Sequence, residues 1–252
     1  MHSTATARRA AVLLYAVYAW FIMVFAVTPV LIACVLLPGR DIRRAAARRG
    51  AAAVFWLIGS KIQVNGEVPG SGERAVVIAN HQSYLDGIIL TAVLPPHYTF
   101  LIKREMVKVP IAGFLLSRLG SEFVDRASAD QRHRSARRLL QAAHAGQALA
   151  VFPEGTFDEK PGLKRFHMGA FRAAWRAGLP ILPIAIRGAR NKLPAECWLP
   201  RPGPLIVDFC TRLETADFDD ERSLMLATRS AILEHTGEPD LGEVEAAAQS
   251  PP

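Results

Sequence analysis

Residues 10–37, AAVLLYAVYAWFIMVFAVTPVLIACVLL, run for 28 positions without a charged side chain. As a helix the run would extend about 42 Å, more than the roughly 30 Å hydrocarbon core of a bilayer. It is also far too long for the apolar part of a signal peptide. Residues 31–34, LIAC, look like a lipoprotein cleavage site, a minor alternative because further apolar residues and then a basic block follow. The sequence therefore predicts a membrane-bound chain. The run is either a single span or a hairpin that dips in and returns at Pro29, whose missing N–H breaks or kinks a helix.

The flank GRDIRRAAARRG, residues 39–50, carries Arg40, Arg43, Arg44, Arg48 and Arg49. Arg40, Arg44 and Arg48 are spaced by four, so on a helix they form one cationic stripe. Beside an apolar segment, such a stripe suits anionic membrane lipids, at about 1 kcal/mol per basic residue near the surface. A solvated helix face is the weaker alternative. The positive-inside rule puts this flank in the cytoplasm, and Arg8 and Arg9 ahead of the run favour the same side and hence the hairpin. The next run, AAAVFWLIG, reads as a second interfacial helix segment. The formal charge of +7 invites an anionic partner. Arginine outnumbers lysine 24 to 6 and alanine is abundant, a bias typical of GC-rich bacterial genomes. The expected location is a bacterial inner membrane with the rest of the chain on its cytoplasmic face. Cys34, Cys197 and Cys210 show no close metal spacing and leave an odd one, so no disulfide framework and no metal site is expected, in a reducing compartment.

After Ser60 short apolar runs alternate with amphipathic stretches. Strands are predicted at 74–80, 98–103, 121–125, 148–154, 180–188 and 204–210, and helices at 84–94, 110–119, 128–145, 168–177 and 217–236. This alternation predicts an α/β fold, with a central, mostly parallel or mixed sheet covered by helices on both faces. Three units follow: an anchor with its basic segment (1–59), a catalytic domain (60–236) and a polar, disordered tail (237–252). Ligands in such folds gather at the carboxyl ends of strands. His81, Arg126 and Glu154 all lie at or just past a predicted strand end.

In IANHQSYLDG, residues 78–87, Asp86 follows His81 by five positions. On a helix that spacing puts side chains about 140° apart, so the two meet only if the chain turns between them. One reading is a capping box, with Ser83 as N-cap and Asp86 at N3. The other is a turn that orients a catalytic imidazole. The two are compatible.

Four blocks, in order, resemble those of the glycerophospholipid acyltransferases, most closely the 1-acylglycerol-3-phosphate acyltransferases. NHQSYLD (80–86) is similar to the family's Asn-His, four residues, Asp. GSEFVDR (120–126) resembles Gly-x-x-Phe-x-x-Arg, FPEGT (152–156) the third block, and LPI (182–184) the apolar-Pro-apolar fourth. KRFHMGAF (164–171) is similar to the family's basic segment and following helix. The resemblance covers about 60–215 and implies transfer of a fatty acyl group from acyl-CoA or acyl carrier protein to the hydroxyl of a lysophospholipid, with no other cofactor. It favours the catalytic reading of His81. Histidine near pKa ~6.5 suits a general base at neutral pH, and Asp86 would hold one ring nitrogen protonated so that the other stays free. The resemblance assigns Arg126 to the acceptor's phosphate, and a surface ion pair with Asp125 or Asp130 competes. It makes Glu154 an acceptor-binding acid. Gly155 would offer its N–H to the acceptor or to a developing oxyanion, while an ordinary turn at 153–155 is the plainer reading. Asn80, Gly120 and Thr156 belong to the same blocks. Lys103, Lys164 and Arg165 are further phosphate candidates.

The third block commonly continues with arginine, where this chain has Phe157 and then Asp158. A phosphate-contacting cation is therefore expected to be missing, to be replaced by Lys160, Lys164 or Arg165, or else the acceptor is not lysophosphatidate. His97, His133, His144, His167 and His235 have no partner spacing that suggests a ligand set, although His167 adjoins the basic segment. Helix 128–145 with Arg126, Arg132, Arg134, Arg137 and Arg138 lacks base-stacking aromatics, so no nucleic-acid partner is expected; that helix would face the membrane or an acidic carrier protein. Two rivals remain, a non-catalytic membrane binder and a hydrolase using His81 and Asp86 as metal ligands. The lack of further clustered ligands counts against the second.

Overall fold

The structure, a computed structural model, describes residues 2–124 and 129–242. The apolar run forms one helix, α1 (His2–Leu36), which continues through Pro29. The expected return at Pro29 does not occur there. A proline removes one helical N–H, a local loss that a long helix held by neighbours tolerates. The chain turns instead at Pro38-Gly39, where Gly39 has φ 79°, and α2 (Arg40–Leu57) runs back along α1. At Gly50 the two helices are so close that an added Cβ would lie 2.6 Å from Val30 Cγ2. Farther along, Tyr15 donates to Ile58 O (3.1 Å) and Tyr18 to Leu57 O (2.9 Å). The basic flank and the run AAAVFWLIG thus share one continuous helix.

The arginine stripe exists, and two of its three members, Arg44 and Arg48, bond the body of the protein. Arg44 donates to Leu119 O (2.6 Å), Gly120 O (3.1 Å), His97 O (3.2 Å) and Thr99 Oγ1 (3.0 Å). Arg48 reaches toward Ala92 O (3.4 Å) and Val93 O (3.5 Å). The carbonyls of Ala92, Val93, Leu119 and Gly120 lie at or just past the ends of α3 (Asp86–Val93) and α4 (Pro110–Arg118), where helices leave acceptors unpaired and carry partial negative charge. Arg43 is buried and donates to Gly39 O (2.8 Å), whereas Arg40 and Arg49 stay exposed.

Seven strands form one sheet in the order β1-β7-β6-β2-β5-β3-β4. They are β1 (Ile62–Asn65), β2 (Val76–Ala79), β3 (Thr99–Lys103), β4 (Glu122–Val124), β5 (Leu149–Val151), β6 (Ile181–Arg187) and β7 (Leu205–Phe209). Every neighbouring pair is parallel except β6 with β7. Strand β1 was not expected; it is a short edge strand with only partial burial.

The two-residue period of the strands divides the core. Val77 and Ala79 of β2 join residues of α1, α2 and α3 on one face, including Ala19, Ile22, Val54, Phe55, Ile89 and Leu90. Val76 and Ile78 join the other face with α5 (Ala129–His144), α6 (Gly169–Ala177) and α8 (Glu221–Thr236). A short helix, α7 (Ala189–Lys192), follows β6. Helix α8 starts with a true capping box between Asp220 and Ser223.

The expected tail gives up its first residues to the body. Glu238 accepts from Gly162 N–H (3.0 Å) and pairs with Arg190 (2.9 Å). Leu163 N–H donates to Pro239 O (2.9 Å), and Leu241 N–H to Leu163 O (3.0 Å). The segment 238–241 therefore clasps the loop after β5.

Candidate active site

Strand β2 lies between β6 and β5, all parallel, so the loop after Ala79 emerges between the ends of two buried neighbours. Asn80 is tied to the β6 side: its amide donates to Ile186 O (3.0 Å) and accepts from Ile186 N–H (2.7 Å). Buried and bonded through both ends of its amide, Asn80 anchors the loop to β6.

The β5 side holds the next residue. Glu154 is buried and each carboxylate oxygen takes a backbone N–H, His81 on Oε1 (2.6 Å) and Lys164 on Oε2 (2.8 Å). Burial pushes its pKa up to about 8, against the two N–H donors that pull it down. Its bonds make Glu154 a clamp on the His81 backbone.

His81 and Asp86 do meet. Nδ1 lies 2.9 Å from Asp86 Oδ2, with the imidazole 19% exposed and the carboxylate completely buried. The same oxygen accepts from Gln82 N–H (2.5 Å) and Ser83 N–H (2.8 Å). A carboxylate oxygen here accepts from the ring when Nδ1 bears the proton, which leaves Nε2 with a free lone pair. Only half of the capping box expected at Ser83–Asp86 forms: Asp86 accepts from Ser83 N–H, but Ser83 Oγ does not take Asp86 N–H. The helix starts at Asp86 itself, so Asp86 stands at its first residue and turns its carboxylate back onto the preceding loop. Ser83 Oγ instead donates to Leu193 O (2.8 Å) and accepts from Leu85 N–H (3.2 Å). Among the described residues, Asp86 Oδ1 has no hydrogen-bond partner.

Aromatic rings enclose the imidazole. Phe152 stacks on it with centroids 4.3 Å apart, and Phe157 meets it edge-on at 4.5 Å. The residue that replaces the family's arginine is thus part of the histidine's surroundings. Tyr84, inside the His81–Asp86 loop, and Trp198 also belong to this cluster. Tyr84 could be suspected from its place in the motif; nothing in the sequence marks Trp198.

The remaining expected residues spread out. Gly155 adopts φ 75°, as glycine permits, and its N–H donates to Phe152 O (3.2 Å), so the turn uses the donor that was assigned to substrate. Thr156 is exposed. Lys164 is paired with Asp158, which is held below its ordinary pKa chiefly by that hydrogen bond. Arg165 is exposed, and His167 donates its N–H to Pro153 O (2.9 Å). Lys103 is exposed and pairs with Glu105 at 3.7 Å. Gly120 packs beneath Arg40 and Arg44, where an added Cβ would come 2.6 Å from Arg40 Cδ. Arg126 lies outside the described residues. Among the described residues no group of three or more His, Cys, Asp or Glu side chains is arranged to hold a metal.

The family profile described as Acyltransferase matches residues 61–187. The lyso-ornithine lipid O-acyltransferase of Pseudomonas aeruginosa is 34% identical over 161 residues, 63% of this chain and 60% of that protein. The 1-acyl-sn-glycerol-3-phosphate acyltransferase of Haemophilus influenzae is 31% identical over 126 residues, 50% of this chain and 52% of that protein. The chain thus spans less than two thirds of the length of either relative. In fold it is similar to the crystal structure of the 1-acyl-sn-glycerophosphate (LPA) acyltransferase of Thermotoga maritima. There the TM-score is 0.75 at 23% identity, over 97% of this chain and 99% of that one.

Proposed function

From the premise that this chain belongs to the Acyltransferase family, we propose that it transfers a fatty acyl group from a thioester donor to the free hydroxyl of a lysolipid. The donor is acyl-CoA or acyl carrier protein. The observation that carries the reading is the 2.9 Å contact between His81 Nδ1 and a buried Asp86 oxygen. Nε2 takes the proton of the acceptor hydroxyl as its oxygen attacks the thioester carbonyl. The buried carboxylate stabilises the imidazolium, which then protonates the departing thiolate as the C–S bond breaks. No protein nucleophile is needed, and the products are the ester and the free thiol.

The acceptor assigned first is 1-acyl-sn-glycerol-3-phosphate, giving phosphatidic acid, in line with the motif resemblance and with the name of the Haemophilus relative. A second reading, a phosphate-free lysolipid of the kind named for the Pseudomonas relative, is favoured by Phe157 at the imidazole and by the pairing of Lys164 with Asp158. Membrane association follows from α1, whose residues Arg9–Leu36 are long and apolar enough to cross a bilayer. The same helix packs on α2 through Tyr15 and Tyr18 and bonds Trp198 O through Trp20, which supports a reading with the site held at the membrane surface, on the cytoplasmic side by the positive-inside rule.

The test uses the purified full chain, labelled acyl-CoA and acyl carrier protein, and a panel of lysolipids with and without phosphate. Ester formation on a lysolipid, lost in His81→Ala while that variant still sediments with membranes, is expected. Full turnover by His81→Ala would refute the mechanism, and the panel decides the acceptor.

A further inference from the structure

Beyond the His81–Asp86 pair, four aromatic rings make an unbroken file from α1 to the imidazole. Trp20 on α1 and Trp198 have centroids 6.1 Å apart. Trp198 stacks on Tyr84 at 5.3 Å with 15° between planes. Tyr84 meets Phe157 edge-on at 4.7 Å, and Phe157 reaches His81 at 4.5 Å. The middle of the file is open: Trp198 is 61% exposed and Tyr84 50%. Contiguous exposed apolar surface of this kind marks a site of contact.

The file is held in place at several points. Trp20 Nε1–H donates to Trp198 O (2.8 Å), fastening the outer rings together. The segment that carries Trp198 is pinned at one end by Ser83 Oγ on Leu193 O and at the other by Lys192 Nζ on Arg201 O (3.0 Å). On either side of Trp20 along α1, Val17 and Val24 lie one turn away on the same face and are 70% and 64% exposed. The apolar surface therefore runs on along the membrane helix.

A lysolipid carries its reacting hydroxyl close to an acyl chain. Bringing that hydroxyl to His81 draws the first methylenes out of the bilayer, at about 0.8 kcal/mol for each one exposed to water. A run of ring faces removes that penalty. We propose that Trp198 and Tyr84, between Trp20 at the outer end and Phe157 at the inner, form a track for the acyl chain of the lysolipid acceptor. The occupant is the chain and not the headgroup, because the file holds no charged side chain, continues the apolar face of α1 and ends at the imidazole. The track sets the preference for long-chain acceptors. The proposal rests on the transfer reading above.

The experiment compares two acceptors with the same headgroup, one long-chained and one short-chained and freely soluble, using the full chain in mixed micelles. Trp198→Ala is expected to lower the long-over-short ratio of kcat/KM about tenfold, through KM for the long chain, and Trp198→Phe to restore most of it. An equal loss on both acceptors, or no change on the long one, overturns the track while transfer by the wild type stands. A wild type that acylates neither acceptor overturns the transfer reading, and the track with it.

Discussion

Substituting glutamine for Glu154 separates a clamp from a substrate contact. Each Glu154 oxygen takes one backbone N–H, at 2.6 and 2.8 Å, and hydrogen bonds to a charged group contribute about 1.5–3 kcal/mol each. Glutamine keeps the length and volume but turns an NH2 group toward one of the two donors. One bond is lost and one buried N–H is left facing another donor. A penalty of about 2 kcal/mol that falls on the placement of His81 lowers kcat about thirtyfold. The assay is steady-state transfer against varied acceptor, at about pH 9, where an acid with a pKa near 8 is ionised. The expected result is a lower kcat with KM for the acceptor unchanged. As pH falls through about 8 the wild type takes up the proton and its advantage over the variant shrinks. Stability follows the same group. The folded value lies above the ordinary 4.5, so the fold retains a proton that the unfolded chain loses, and thermal stability declines between about pH 4.5 and 8. The glutamine variant lacks that decline. A raised KM with unchanged kcat would refute the clamp and return Glu154 to the acceptor.

Asp86→Asn keeps the size of the side chain but removes the charge that steadies the imidazolium, so kcat should fall by about 10²–10⁴ in the same assay, with membrane sedimentation unchanged. Asn80→Ala breaks both bonds to Ile186 and should lower thermal stability by about 2–4 kcal/mol while leaving KM alone, as followed by tryptophan fluorescence on heating. Arg44→Ala should destabilise the protein without changing the salt dependence of its binding to anionic vesicles, since its guanidinium is spent on carbonyls of the body. Lys192 is buried with its ammonium donating to Ser60, Tyr15 and Arg201 O, and burial lowers its pKa from 10.5 to about 8. The folded chain then sheds that proton before the unfolded one does. Thermal stability should rise from about pH 8 to 10.5, and Lys192→Met should abolish the rise.

Six of the strands were legible; β2, β5, β6 and β7 are apolar runs whose register the buried faces enforce, while β3 and β4 are less buried. IQVN at 62–65 was not legible, because an edge strand paired on one side needs little apolar character. The reversed direction of β7 against β6 left no mark in its sequence. Spacing showed that Arg40, Arg44 and Arg48 share a helix face, but not that the ends of α3 and α4 would lie opposite it. The motif placed His81 beside Asp86 correctly in space, yet only the Asp86 half of the capping reading held, because the helix begins two residues later than Ser83 implied. For Asn80, Glu154 and Gly155 the strand-end position was readable. Which backbone groups they bond depends on the neighbours of β2, and those are set by strand order.

The clasp formed by residues 238–241 makes the site depend on a stretch that follows every described strand. Gly162 and Leu163 take their partners from Glu238 and Pro239, and Lys164, next along, supplies the N–H that holds Glu154 on the His81 backbone. A chain halted at Thr236 would already contain the whole sheet and the histidine, with the support behind that histidine unfinished. Removing residues 238–241 would therefore loosen the loop that carries Lys164, and with it the hold of Glu154 on the His81 backbone.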